Sequence, residues 1–257
     1  MAKIICVANQ KGGVGKTTTA VNLSASLAVA ERRVLLVDMD PQGNAGSGVG
    51  ADKSALSESI YDALIDGAAP EGIVLETEIP FLHLLPATSD LAGAELELAD
   101  VQGREQRLKQ ILAKLSSAYD YIFIDCPPSL SLLTINAMTA ADSVLIPMQC
   151  EFYAMEGLSQ ILKTIGLIQQ GLNTTLKIEG ILLTMFDARN NLSHQVSEEI
   201  RTHFAKDTFE TVIPRNVRLS EAPSHGKPIV LYDITSKGAT SYLDLAKELI
   251  AREAANG

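Results

Sequence analysis

The run Gln10-Lys11-Gly12-Gly13-Val14-Gly15-Lys16-Thr17-Thr18 carries the clearest chemistry in the sequence. It follows the apolar stretch Ile4-Ile5-Cys6-Val7-Ala8 and opens into Thr19-Ala20-Val21-Asn22-Leu23. Strand, glycine-rich turn and helix, in that order, are the setting a phosphate-binding loop needs. The glycines let backbone N–H groups converge on phosphate oxygens, and the first turn of the helix presents its positive end to the same charge. Lys16 is placed to reach the β- and γ-phosphates of a nucleotide, and the Thr17 hydroxyl to hold Mg²⁺. The usual pattern has glycine where this chain has Gln10, and a second lysine, Lys11, precedes the glycines. Lys16 already occupies the γ-phosphate side of its own loop, so Lys11 is better placed for a phosphate on a neighbouring subunit. A solvated loop lysine is the plain alternative.

Two apolar runs end in acids. Val34-Leu35-Leu36-Val37 leads into Asp38-Met39-Asp40-Pro41-Gln42-Gly43-Asn44, and Tyr121-Ile122-Phe123-Ile124 leads into Asp125-Cys126-Pro127-Pro128. Parallel strands put their carboxyl ends along one edge, beside the loop. Asp125 fits an acid that holds Mg²⁺ directly or through water. Asp40 lies two residues past Asp38, so a continuing pleat directs both to one face. One acid then serves the metal shell while the other orients the attacking water. Turn-forming aspartates are the alternative. His83, His194, His203 and His225 are scattered without zinc spacing, and no Ser/His/Asp signature occurs. Cys6, Cys126 and Cys150 sit in or beside apolar runs and read as reduced, buried thiols.

The elements that position these residues alternate. Strands are expected at Lys3–Asn9, Arg33–Asp38, Phe81–Pro86, Tyr121–Asp125, Ser143–Met148, Ile178–Met185 and Phe209–Ile213, and helices at Lys16–Ala30, Arg104–Ser117, Gly157–Gln170, Ser193–Phe204 and Gly238–Ala254. Continuous apolar runs suit strands buried on both faces. The expectation is an α/β fold: a doubly wound, mostly parallel sheet with helices on both faces, in one domain spanning 1–257. The 257 residues include no apolar run near the ~18 residues of a membrane span. Met1-Ala2-Lys3 runs directly into the first strand, so no signal peptide is read. Net charge is −10, which taken whole argues against nucleic acid. Its distribution is uneven. Acids dominate from Asp52 to Glu105, opposed by Lys53 and Arg104, whereas the stretch from Arg189 to Arg252 is nearer balance and includes Arg215 and Arg218.

Lys11–Thr18 resembles the deviant Walker A motif of the ParA/MinD ATPases. The resemblance continues through Asp38–Asn44, Asp125-Cys126-Pro127-Pro128-Ser129 and Ile213-Pro214-Arg215-Asn216-Val217-Arg218-Leu219-Ser220-Glu221-Ala222-Pro223. It covers essentially the whole chain and is nearest to the short, Soj-type chromosome-partitioning ParA proteins. It implies a weak, partner-stimulated ATP hydrolase that uses ATP and Mg²⁺ and forms an ATP-sandwich homodimer. Lys11 matches the signature lysine that crosses to the partner's nucleotide, and Asp40 the residue that positions the hydrolytic water. Lys11, Gly12, Gly13, Val14, Gly15, Lys16, Thr17 and Thr18 form the nucleotide loop. Pro214 and Asn216 match positions lining the adenine pocket, and Glu151 lies where family members contact nucleotide across the dimer. Thr17, Asp125 and Asp38 make the metal set. Gly12 matches a glycine whose bulkier replacement blocks close approach of two subunits.

The same resemblance implies ATP-dependent, sequence-nonspecific binding of double-stranded DNA through Arg189 and Arg218, and a cytoplasmic, nucleoid-associated protein. A ParB-type centromere-binding protein, through a basic peptide, would stimulate hydrolysis to ADP and phosphate and so release DNA. Three alternatives stay open. A MinD-like membrane-associated positioning ATPase would carry a basic amphipathic C-terminal helix. Here Tyr242–Gly257 balances acids with bases and has no Trp or Phe anchor, which favours a docked helix and no membrane partner. An iron–sulfur relative would need cysteines bridging a cluster at a dimer face. A small-molecule ligase would need its own substrate pocket.

Overall fold

The structure is a computed structural model that describes residues 1–256. Its strands are β1 (Lys3–Val7), β2 (Val34–Asp38), β3 (Leu75–Glu76), β4 (Leu82–Leu85), β5 (Tyr121–Asp125), β6 (Ser143–Gln149) and β7 (Lys177–Thr184). They form one sheet in the order β3-β4-β2-β5-β1-β6-β7. Every pairing is parallel except that of the two-residue edge strand β3 with β4. The helices are α1 (Lys16–Val29), α2 (Asn44–Gly48), α3 (Ile60–Ile65), α4 (Pro70–Ile73), α5 (Leu91–Glu97), α6 (Arg107–Leu115), α7 (Leu132–Ala140), α8 (Ala154–Gly171), α9 (Asn191–Phe204), α10 (Val217–Glu221), α11 (Ile229–Tyr232) and α12 (Lys237–Asn256).

The pleat sorts the apolar runs between two cores. Leu35 and Val37 of β2, with Ile122 and Ile124 of β5, face the side covered by α3, α6, α7 and α8. Val34 and Leu36, with Tyr121 and Phe123, face the side covered by α1 and α12. This is why these strands are apolar at every position: each face meets a helix layer. The C-terminal helix α12 buries Ala239, Tyr242, Leu245, Ala246 and Leu249 against this second core, and the Thr19 and Tyr242 hydroxyls lie 3.2 Å apart. Its apolar stripe is therefore spent on packing. Among the described residues no helix is long and apolar enough to cross a membrane.

One expected strand does not form. Residues 209–213 run beside β7, bonding through the Phe209 and Ile213 amides to the Ile181 and Leu183 carbonyls, yet only isolated bridges flank them, at Thr208 and Pro214. Between these contacts the Glu210 and Thr211 amides donate to the Glu248 carboxylate of α12, both at 2.8 Å. A side chain thus takes donors that a ladder would need. Helix α7 is absent from the sequence pattern because its second half, Asn136–Ala140, is buried all round and so has no polar face to give a helical period. The expected helix at Arg104–Ser117 divides into a 3₁₀ turn at Arg104–Gln106 and α6.

Candidate nucleotide-binding site

The loop between β1 and α1 is shaped by Gly13 and Gly15, whose φ angles of 72° and 86° lie in the left-handed region. Neighbouring elements pin it. The Asn9 amide donates to the Pro147 carbonyl at 2.8 Å while its oxygen accepts from the Lys11 amide at 3.0 Å. The Thr184 hydroxyl donates to the Val14 carbonyl at 2.9 Å. Gln10, the departure from the common pattern, donates to the Thr164 hydroxyl of α8 at 2.9 Å, so the side chain anchors the loop outward. Helix α1 starts at Lys16 with no side-chain cap and no acid in its first turn. Its leading amides and positive dipole end are left for an anion.

Asp38 and Asp125 end adjacent strands in direct register. By strand alternation both point to the α1 side of the sheet. The two acids do different things. Asp38 accepts from the Asp40 amide at 3.1 Å and the Gly46 amide at 3.0 Å, and so ties the 39–46 turn to the sheet edge. Burial pushes its carboxyl up to about 6, against the pull of those amides. Asp125 is fully buried and neither of its oxygens makes a hydrogen bond of good geometry. Burial raises it well above the usual carboxylate range and the Asp38 charge adds to this, while the Thr17 hydroxyl and Lys16 oppose. Strand β2 stops at Asp38, so the pleat does not aim Asp40 as expected. A turn does: Asp40 accepts from the Gln42 amide at 2.9 Å, its carbonyl from the Gly43 amide, and it remains buried close to Asp38 and Asp125. Hard oxygen donors, two of them unpartnered beside a threonine hydroxyl, fit a divalent cation such as Mg²⁺.

The two lysines diverge. Lys16 is buried, its ammonium donates to the Lys11 carbonyl at 3.0 Å, and desolvation lowers its pKa against the pull of Asp125. Lys11 turns away from the loop and pairs with Glu151 at 3.0 Å, both half-exposed. Gly15 and Thr18 open into a cavity of about 290 Å³ lined also by Thr184, Met185, Pro214, Arg215, Asn216 and Tyr242. Pro214 and Asn216 therefore line a cavity that the loop opens into. Asn216 caps α10 through its oxygen, which accepts from the Arg218 amide at 2.9 Å. Thr184 and Met185 join them without any motif to announce them. The one sequence clue is position: they close the last strand, at the edge where such sites form. Met185 holds a left-handed φ of 49°, an uncommon conformation for a side chain of this type, at the cavity wall. Arg189 and Arg218 lie outside this cavity, on segments joined by the Phe186–Pro214 bridge.

Residues 2–178 match the family model described as an AAA domain. The chain is 61% identical over 253 residues to the chromosome partitioning protein ParA of Myxococcus xanthus, covering 98% of this chain and 89% of that one. It is also 61% identical over 251 residues to the sporulation initiation inhibitor protein Soj of Bacillus subtilis, covering 98% and 99%. A crystal structure of cobyrinic acid a,c-diamide synthase from Mycobacterium smegmatis, with bound ADP and magnesium, superposes with a TM-score of 0.87 at 39% identity and covers 100% of this chain and 97% of that one.

Proposed function

The chain belongs to the ParA/MinD family of deviant Walker A ATPases, in its ParA/Soj chromosome-partitioning branch, and on that basis we propose an ATP-gated DNA-partitioning switch. ATP and Mg²⁺ are its ligands. The loop amides and Lys16 hold the phosphates, Thr17 and Asp125 hold the metal, Asp38 braces the turn that carries Asp40, and Asp40 orients the attacking water. Mg²⁺, held there by Thr17 and Asp125, would offset the charge of the phosphates. The base lies in the cavity between Met185 and Pro214. ATP-bound chains pair as a sandwich, and the pair binds DNA without sequence preference through Arg189 and Arg218. A ParB-type partner speeds hydrolysis and so ends the bound state. The whole chain, 1–257, acts as one ATPase domain, and the protein is cytoplasmic and nucleoid-associated.

The observation that carries the dimer reading is the divergence of the lysines. Lys16 serves its own loop, while Lys11, three residues from Val14, is turned outward and held half-exposed by Glu151. A lysine in that position serves a second nucleotide at little cost, because an exposed pair contributes only about 0–1 kcal/mol. Pairing doubles the arginines facing DNA and links ATP to DNA affinity through a shared equilibrium. The test is DNA binding with ADP, with ATP, and with ATP plus the Asp40→Ala variant, at several salt concentrations. Tight, salt-sensitive binding that requires ATP and persists longer in Asp40→Ala is expected. No DNA binding in any state overturns the switch and leaves the ATPase assignment standing.

A further inference from the structure

The two arginines assigned to DNA are already engaged. Arg189 grips Asp187 with two nitrogens, Nε to Oδ1 at 3.0 Å and Nη2 to Oδ2 at 2.9 Å, and its own amide donates to the same carboxylate at 3.0 Å. That fork holds the Asp187 carboxyl down at about 2. Arg218 donates to Glu221 at 2.9 Å and lies 3.4 Å from Asp233, while the Tyr232 hydroxyl donates to the same Glu221 oxygen at 3.2 Å. The segments that carry the two pairs are joined: the Phe186 amide donates to the Ile213 carbonyl at 3.1 Å and the Arg215 amide to the Phe186 carbonyl at 3.0 Å. Arg215 is exposed, makes no ion pair among the described residues, and lies near enough to help hold the Asp187 carboxyl down. Three arginines thus face three carboxylates, and the surface is electrically balanced before any ligand arrives.

We infer that Asp187 and Glu221 are affinity-setting residues, built-in competitors for the DNA phosphates that would otherwise take Arg189 and Arg218. The inference rests on the DNA-binding reading of this surface. To meet a phosphate, each arginine leaves or shares its carboxylate, and the acid left behind stands close to the phosphate it yielded to. The freed acid also takes up a cation from solution as the phosphate releases one. A paired arginine therefore contributes less counterion release than a free one. Arg215 feels Asp187 without pairing with it, and is the surface's first contact with a phosphate. One protomer's balanced surface holds DNA weakly, and two acting together hold it firmly.

The test is anisotropy of a fluorescent double-stranded oligonucleotide with ATP and Mg²⁺ present, across a salt series. Asp187→Asn and Glu221→Gln keep an acceptor oxygen for the Arg189 amide and the Tyr232 hydroxyl. Each is expected to tighten binding about threefold per protomer, compounding to about tenfold in a dimer. Each is also expected to steepen the slope of log affinity against log salt by up to about one per protomer. A merely structural role for these acids would leave that slope unchanged. If either amide variant fails to fold, Asp233→Asn on the other side of Arg218 makes the same test. Arg189→Ala and Arg218→Ala separate the two ideas. If they bind DNA as the parent does, the DNA reading of the surface falls. If they lose DNA while the amide variants neither tighten binding nor steepen the slope, the competitor role alone is overturned.

Discussion

Asp125 sets up the sharpest test of the site, because the same side chain should weaken the nucleotide-free fold and enable ligand binding. Its carboxylate is fully buried with no good hydrogen bond, in register with a second buried acid, Asp38. Asp125→Asn keeps the volume and removes the charge. Relief of a buried charge of this kind is worth about 1–3 kcal/mol, since the wild-type group is ionised when unfolded at neutral pH and disfavoured as an anion when folded. For a chain of this size that corresponds to a rise of about 2–10 °C in Tm. Saturating Mg²⁺-ATP should favour the wild type and close or reverse that gap. At a hundredfold excess over Kd the wild type gains about 2.7 kcal/mol, and the variant, lacking the anionic oxygens, loses most of that gain. Thermal denaturation by circular dichroism, with and without ATP and Mg²⁺, reads both effects. A lower nucleotide-free Tm for Asp125→Asn, or an equal Mg²⁺-ATP gain in both proteins, would refute the account of the buried acid.

Asp38 gives the pH dependence: its folded pKa, raised to about 6, lies above its unfolded value, so its stability contribution is full below about pH 4 and is lost as pH rises through about 6. The loss from Asp38 is on the order of 3 kcal/mol in the nucleotide-free chain, measured by urea unfolding across that window, and Asp38→Asn should reduce the slope while leaving the part that Asp125, also raised, contributes. At Gly12 an added Cβ would meet only the Pro128 Cβ, 4.0 Å away, so Gly12→Val should fold and bind ATP yet sediment as a monomer with ATP; an ATP-dependent dimer of this variant would count against the sandwich. Gly180 is the opposite case, its added Cβ clashing with the Phe209 ring, so Gly180→Ala should cost about 1–3 kcal/mol in urea unfolding, and an unchanged midpoint would show that the 209–213 segment is not packed as described.

The sheet was legible because its strands are apolar on both faces, a pattern that survives in sequence as Val34–Val37 and Tyr121–Ile124. The phosphate loop was legible because glycine, lysine and threonine are needed there at fixed offsets. What escaped the sequence depends on contacts between distant segments. Nothing local in Phe209–Ile213 says that Glu248, more than thirty residues later, will claim its amides. Nothing local in Thr184-Met185 says that it will stand opposite Pro214 across a cavity. Asp38 and Asp40 look alike in sequence, as two acids at a strand end. Their roles part because β2 ends between them, so one faces the sheet's interior and the other is aimed by a turn.

Charge is placed in opposite ways at the two ends of the proposed switch. Along the phosphate edge, Asp38, Asp40 and Asp125 outnumber the one buried ammonium, Lys16. A nucleotide polyphosphate adds more negative charge to that edge, so a divalent cation has to accompany it, and binding becomes conditional on metal and nucleotide together. On the outer surface the imbalance is removed instead. Arg189 and Arg218 each hold a carboxylate of their own chain, both at 2.9 Å. Lone anions in solution gain little from such cations. Duplex DNA, with one charge per ~1.7 Å of axis, offers several phosphates at once and can displace several weak internal partners together. That collective exchange favours a surface repeated in two subunits, so on the proposed reading neutral pairs on an acidic body would make DNA binding more dependent on dimerisation than free arginines would.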